Sequence, residues 1–303
     1  MQALFPTSSI VKVLSSTKLD IHVAHRSASF IFEEPGVTCH DLDPSAETLK
    51  PLLTDIKPDL VISTVHGGNF ETQKEIIDCA VETGVPRFIP SEFGQDSLNE
   101  KVQERLPPSR ERARTIEYLR TLSGDGRISW VALATGVVLD RGLLRGNLGF
   151  DIKWQSATLN GQGHERFAAS SAAWIGMVVN AVMQHWRDVQ NQYLYVAGLI
   201  TTGNEVISAL QEASGKTFAV GRQDPADSIK EADKRIEQGY PDAGMFLYER
   251  SVMYDETLAA VKPFEDADAK TKLGVDGEAL TALIKSVMHE HEHHGGKADC
   301  GCG

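Results

Sequence analysis

Residues 58–94 limit what this chain can fold into more than any other stretch. Leu60-Val-Ile-Ser-Thr-Val65 is a short apolar, β-branched run of the kind buried on both faces of a parallel sheet. His66-Gly67-Gly68-Asn69 interrupts it, and apolar residues then recur at Ile76, Ile77, Ala80 and Val81, which is helical spacing. Gly84 stands where a glycine commonly closes a helix, and Arg87-Phe88-Ile89 reads as the next strand, stopped by Pro90. A strand, a helix and a second strand of these lengths predict a right-handed parallel crossover. In open α/β sheets ligands lie off the carboxyl ends of such strands, which singles out the loops 66–70 and 90–96.

The stretches on either side extend this pattern. Residues 10–14 read as a helix with Ser8 and Ser9 at its start, and residues 21–25 as a strand. Asp41 to Pro44 is a turn, and residues 46–53 a short helix. Residues 103–122 are helical with a Pro107-Pro108 interruption, and 128–134 form a further strand. Strand alternating with helix predicts a Rossmann-like doubly wound parallel sheet over 1–140. The character then changes. Asn160-Gly-Gln-Gly163 between two strand-like runs predicts a hairpin, helices are expected over 171–186, 204–213, 231–238 and 279–288, and a strand over 193–196. Residues 141–288 are therefore expected to form a smaller, mixed substrate-binding domain, and 289–303 a disordered tail containing His and Cys.

Bulk properties exclude several function classes. A net charge of −12 argues against nucleic-acid or anionic-membrane partners, which select basic faces. No apolar run approaches the roughly 18 residues of a membrane span, and no secretory leader is seen. Four cysteines, of which Cys39 and Cys79 fall in expected core elements, fit a reducing compartment and a cytoplasmic protein. The terminal His289-Glu-His-Glu-His-His run lacks the ligand spacing of a zinc site, so no metal is expected. Gly161-Gln-Gly163 and Gly215-Lys-Thr217 are incomplete phosphate motifs: no helix is expected to follow the first, and the second has Leu210 where a P-loop needs glycine.

Val61-Ile-Ser-Thr-Val65, Gln73-Lys74 and above all Ile89-Pro-Ser-Glu-Phe-Gly94 resemble the NmrA-like and isoflavone reductase-like proteins, atypical short-chain dehydrogenases. The resemblance runs through most of the chain and implies an NADPH-binding Rossmann domain in a reductase of small aromatic or polyketide-like secondary metabolites. It implies cofactor contacts from Arg26, which would grip the 2′-phosphate bidentately, and from Asp41, Gln73, Pro90 and Phe93, while His66, Gly67, Ser91, Glu92 and Asp96 stand in the loops off the strand ends as candidates for the nicotinamide side or a substrate.

Two departures bear on activity. Family members open with a strand and a Gly-x-x-Gly-x-x-Gly turn. Here the first helix follows Pro6-Thr-Ser-Ser9, which has no glycine, so the first strand and glycine turn are expected to be truncated and NADPH binding weakened. Ser8 and Ser9, at a helix start, remain candidates for phosphate contacts. The family's catalytic lysine lies six residues before a Tyr-Leu pair, and with Tyr118-Leu119 that place holds Arg112. An arginine keeps its proton, so Arg112 suits an oxyanion stabiliser better than a general acid, and His66 is the other catalytic candidate. A solvated helix arginine and a structural histidine are the plain alternatives. The expected function is thus NADPH-dependent reduction. The competing expectations are a non-catalytic dinucleotide sensor, with a homodimer or regulatory protein as partner, and a redox-silent isomerase or cyclase.

Overall fold

The computed structural model describes residues 7–25, 32, 34–43, 45–65 and 67–294. Arg26 and His66 lie outside the described residues. The first half runs α1 (Thr7–Ser15), β1 (Ile21–His25), β2 (Val37–Asp41), α2 (Ala46–Ile56), β3 (Val61–Ile62), α3 (Phe70–Glu82), β4 (Arg87–Ile89), α4 (Glu100–Arg105), α5 (Pro107–Gly124) and β5 (Ser129–Ala134). The second half comprises β6 (Val137–Val138), α6 (Leu139–Arg145), β7 (Phe150–Asp151), β8 (Ser156–Asn160), β9 (Arg166–Ser170), α7 (Ala172–Gln184), α8 (Trp186–Val189), β10 (Gln192–Tyr195), β11 (Leu199–Thr202), α9 (Gly203–Ser214), β12 (Ala219–Gln223), α10 (Pro225–Glu237), α11 (Pro241–Met253), α12 (Lys262–Asp266), α13 (Lys270–Leu273) and α14 (Leu280–His294).

The crossover predicted over 58–94 is present. β3, β4, β5 and β10 make a parallel sheet in the order β10-β5-β4-β3. Alternate side chains of these strands point to opposite faces, so each strand feeds two cores. Phe88, Trp130 and Ala132 meet Ile76, Ile77 and Ala80 of α3 and Ile116, Leu119 and Leu122 of α5. Ile89, Val131 and Leu133 meet Ile175, Val178, Val179 and Val182 of α7 together with Ile10 and Leu14 of α1. Helices cover both faces, as expected of a doubly wound sheet. β1 and β2 pair parallel to each other in a separate two-stranded sheet, and among the described residues no strand joins the two sheets.

The local signals in α3 operate as written. Asn69 caps the helix by accepting the Thr72 amide, and Gly84 follows the helix end at φ +79°. The strand before it is shorter than its apolar run suggests. Only Val61 and Ile62 pair in the ladder, with one more bond from the Ser63 amide to the Ile89 carbonyl.

The expected hairpin at 160–163 is overturned. β8 pairs with β7 and β12, whereas β9 pairs with β6 and β11. The turn carries the chain from one sheet to another because Glu165 folds back beneath it, accepting the Gln162 amide at 2.8 Å and the Gly163 amide at 2.6 Å. Those local bonds satisfy the turn without a partner strand. The second core lies between these sheets and α9 and α14, built on Phe150, Leu159, Val206, Leu210, Ile284 and Val287. α7 and β10, although late in sequence, complete the first sheet. α14 continues to His294, past the point where a tail was expected, because Val287 and Met288 are still buried and Glu290 pairs with Arg141 at 3.0 Å.

Candidate active site

The site is assembled at the carboxyl ends of β3, β4 and β5. The loop after β4 is interior: Pro90, Ser91, Glu92, Phe93, Gln95, Asp96 and Ser97 are all buried. It is pinned to the end of β5, since the Gly94 carbonyl accepts the Thr135 and Gly136 amides, both at 2.9 Å. The loop after β3 is pinned from α3. The Gln73 amide nitrogen donates to Ser63 Oγ at 3.0 Å and to the Val65 carbonyl at 2.9 Å. Gln73, expected to touch a cofactor, is thus used for holding the loop.

The two loops close on one another at a glycine. A Cβ on Gly67 would sit 2.0 Å from the Ser91 carbonyl oxygen and 3.1 Å from Arg112 Nε. A Cβ on Gly94 would sit 3.4 Å from Arg112 Nη1. Arg112, from the second turn of α5, therefore lies against both glycines. Any larger residue at position 67 would collide with the loop backbone.

Around Arg112 stand carboxyl and phenol groups from three distant segments. Glu92 is 2% exposed, and burial pushes its carboxyl up to about 7, although Arg112, Ser97 and Tyr193 each oppose the shift. Tyr193 of β10 donates to Glu92 Oε1 at 2.8 Å and accepts the Ser97 amide at 3.0 Å. Its phenol is pushed well above the ordinary range by burial and by Glu92 and Asp96. Asp96 accepts the Leu98 amide at 3.0 Å, with Tyr195 at 3.4 Å, and is likewise raised by burial. Burial also raises Glu249 of α11, opposed by Arg112. One permanently charged guanidinium thus faces two carboxyls that take up protons more readily than usual. Such a group stabilises developing negative charge on a nearby oxygen, beside an acid that titrates near neutrality.

Five buried side-chain polar atoms of the residues gathered here lack a hydrogen-bond partner: Gln73 Oε1, Ser91 Oγ, Gln95 Nε2, Arg112 Nε and Thr135 Oγ1. Buried donors and acceptors are nearly always paired, so these atoms are open to a bond from a ligand or from water. Together with the close-packed Gly67, this fits the nicotinamide end of a dinucleotide.

Of the residues singled out from sequence, Gly67, Ser91, Glu92 and Arg112 come together. Pro90 is in the same loop, but Phe93 is 4% exposed and packs into the core with Ile10 and Leu14. Ser8 and Ser9 occupy the first turn of α1, which packs on α7; a Cβ on Gly176 would lie 2.9 Å from the Ser9 carbonyl. Asp41 is exposed at the end of β2, on the separate sheet. Asp96 lies in the 90–96 loop singled out by the strand end, whereas Tyr193, Tyr195 and Glu249 join the site without a sequence motif. The nearest signal was the two tyrosines alternating on one face of the expected strand at 193–196.

Comparison with known proteins agrees with this architecture. The model of the NmrA-like family matches residues 7–134. Oxidoreductase aprR of Aspergillus flavus is 32% identical over 204 residues, covering 67% of this chain and 68% of that protein. Oxidoreductase poxI of Penicillium oxalicum is 29% identical over 248 residues, covering 80% and 78%. The leucoanthocyanidin reductase–NADPH complex from Vitis vinifera superposes with a TM-score of 0.70 at 16% identity, over 94% of this chain and 97% of that one, a likeness of fold. On this sheet order, these matches lead to one conclusion: the chain belongs to the NmrA-like family, beside fungal proteins named as oxidoreductases.

Proposed function

We propose that the protein is an NADPH-linked reductase of a small aromatic or polyketide-like secondary metabolite, working in the cytoplasm. The observation that carries this reading is the seat of Arg112 between Gly67 and Gly94, beside Glu92, at the carboxyl ends of β3 and β4. The leucoanthocyanidin reductase of Vitis vinifera, a protein of the same fold, forms a binary complex with NADPH. Here Gly67, Pro90, Ser91 and Glu92 would hold the nicotinamide end, the first turn of α1 with Ser8 and Ser9 the phosphates, and Asp41 and Arg26 the adenosine end. Arg26 enters by family position alone, and His66 by its place in the loop after β3. The division into a nucleotide-binding part before residue 140 and a substrate part after it is included in this reading, with α7 and β10 returning to the first.

The cofactor, when bound, supplies the hydride. The chain's own residues do the rest. Arg112 donates N–H bonds to the substrate oxygen on which charge develops, and it keeps its own proton throughout. Glu92, protonated in part near neutral pH, is the acid placed to return a proton to the pocket. Tyr193 orients that carboxyl through its 2.8 Å hydrogen bond. Burial of Pro90, Ser91, Glu92, Phe93, Gln95, Asp96 and Ser97 keeps water from competing with these groups.

Fluorescence titration with NADPH tests the first half, and absence of binding at millimolar cofactor would overturn it. Turnover of aromatic enones or ketones by the loaded protein tests the second. One observation favours a different class: a guanidinium at the lysine position cannot cycle a proton, which suits a dinucleotide sensor acting through a protein partner or a second copy. Tight NADPH binding with no turnover selects the sensor.

A further inference from the structure

The geometry points to a divalent transition-metal site on the last turns of α14, formed by His289 and His293, with Cu2+ as the preferred ion. As bare sequence, the run His-Glu-His-Glu-His-His has crowded ligands and no zinc-site spacing. The helix changes that. Once α14 extends to His294, positions 289 and 293 stand one turn apart on one face. Their rings lie with centroids 4.1 Å apart, tilted by 35°, and both residues are exposed to solvent.

A second contact sets the ring chemistry. His293 Nδ1 lies 2.9 Å from the His289 carbonyl oxygen. A carbonyl can only accept, so the proton sits on Nδ1. In the neutral ring Nε2 is then the bare nitrogen, free to bind a metal. Histidine ligands in metal sites are held in this way, with the other ring N–H given to a carbonyl or carboxylate.

The platform is firm. Leu283, Ile284, Val287 and Met288 bury the opposite face of α14, and Glu290 is tied to Arg141 of α6 at 3.0 Å. The ligand pair therefore stands on a docked helix. Among the described residues no group of three or more such side chains is gathered, so the protein contributes two nitrogens and water completes the shell. Two imidazoles with open positions favour Cu2+ over Ni2+ and Zn2+ by the usual order of affinity for divalent ions.

The test is equilibrium dialysis of the full chain against Cu2+, with electron paramagnetic resonance to read the ligand atoms. Four proteins are compared: wild type, His289→Ala, His293→Ala and a Cys300→Ser/Cys302→Ser double variant. The expected result is one bound ion with nitrogen hyperfine structure, an affinity lowered about tenfold or more in each histidine variant, and no change in the cysteine variant. Urea midpoints equal to wild type confirm that the exposed substitutions leave the fold intact. The proposal is overturned if wild type binds no Cu2+. It is equally overturned if both histidine variants keep wild-type affinity, or if the cysteine variant loses it.

Discussion

Replacing Glu92 by Gln tests the electrostatics of the site at its centre. The carboxyl is buried, and its pKa rises from an ordinary 4.5 to about 7. A group raised in the folded state binds its proton more tightly there than in the unfolded chain. Its contribution to stability is therefore full below about 4.5 and is lost as pH climbs through about 7. At about 1.36 kcal/mol per pH unit, this single group costs the fold roughly 3 kcal/mol across that window. Glutamine has nearly the same shape, still accepts the Tyr193 hydroxyl through its amide oxygen, and does not titrate. Urea unfolding of wild type and Glu92→Gln across the same pH range should give a difference curve that rises by roughly 3 kcal/mol in favour of the variant as pH increases. A flat difference curve would show that Glu92 titrates normally. A curve of opposite slope would mean that Arg112 outweighs burial and holds the carboxylate charged. Either result would remove Glu92 as the neutral-pH acid of the proposed reaction.

Other substitutions probe the same site and its supports. Arg112→Ala removes the cation that opposes the Glu92 shift, so the midpoint of the pH-dependent loss in stability should move to higher pH; an unmoved midpoint would separate the two residues. Tyr193→Phe deletes the hydroxyl that bonds Glu92 and the Ser97 amide, and should cost roughly 1–3 kcal/mol in urea unfolding, with the Glu92 midpoint again raised. Gly67→Ala places a methyl against the Ser91 carbonyl, where no flexible side chain can yield, and should destabilise by about 1–3 kcal/mol; an unchanged urea midpoint would refute the close approach of the loops. Thr202→Ala breaks the capping box of α9, in which Thr202 accepts the Glu205 amide and Glu205 accepts the Thr202 amide, and should lower stability by about 1 kcal/mol at every pH.

Short-range chemistry was legible in the residues themselves. The period of Ile76, Ile77 and Ala80, the break at 66–69 and the glycine after Thr83 each act within a few positions, so the crossover over 58–94 could be read without a structure. The same holds for α5, whose stripe of Ile116, Leu119 and Leu122 faces the sheet, and for the Arg at position 112, set by its spacing to Tyr118-Leu119. Where local signals were ambiguous, the folded chain chose. The glycines at 161 and 163 suit a hairpin or a crossover equally well, and the carboxylate of Glu165 settled it by bonding both amides of the turn. Met288 supplied too little periodicity to carry a helix onward, yet its burial and the Glu290–Arg141 pair extend α14 to His294.

The site divides along the same line. Sequence by itself determined the two loops, because a strand end followed by a glycine or proline break is written in consecutive positions, while the family and the candidate place of Arg112 came from resemblance to its motifs. Tertiary structure alone decided that Tyr193 and Tyr195 from β10 would bond Glu92 and Asp96, that Glu249 from α11 would face Arg112, that Gln73 would brace a loop, and that Phe93 would be core. Those outcomes depend on which strand lies beside β5 and which helix covers the loop. Sheet order is set by the summed burial of both faces, and no window of neighbouring residues contains that sum.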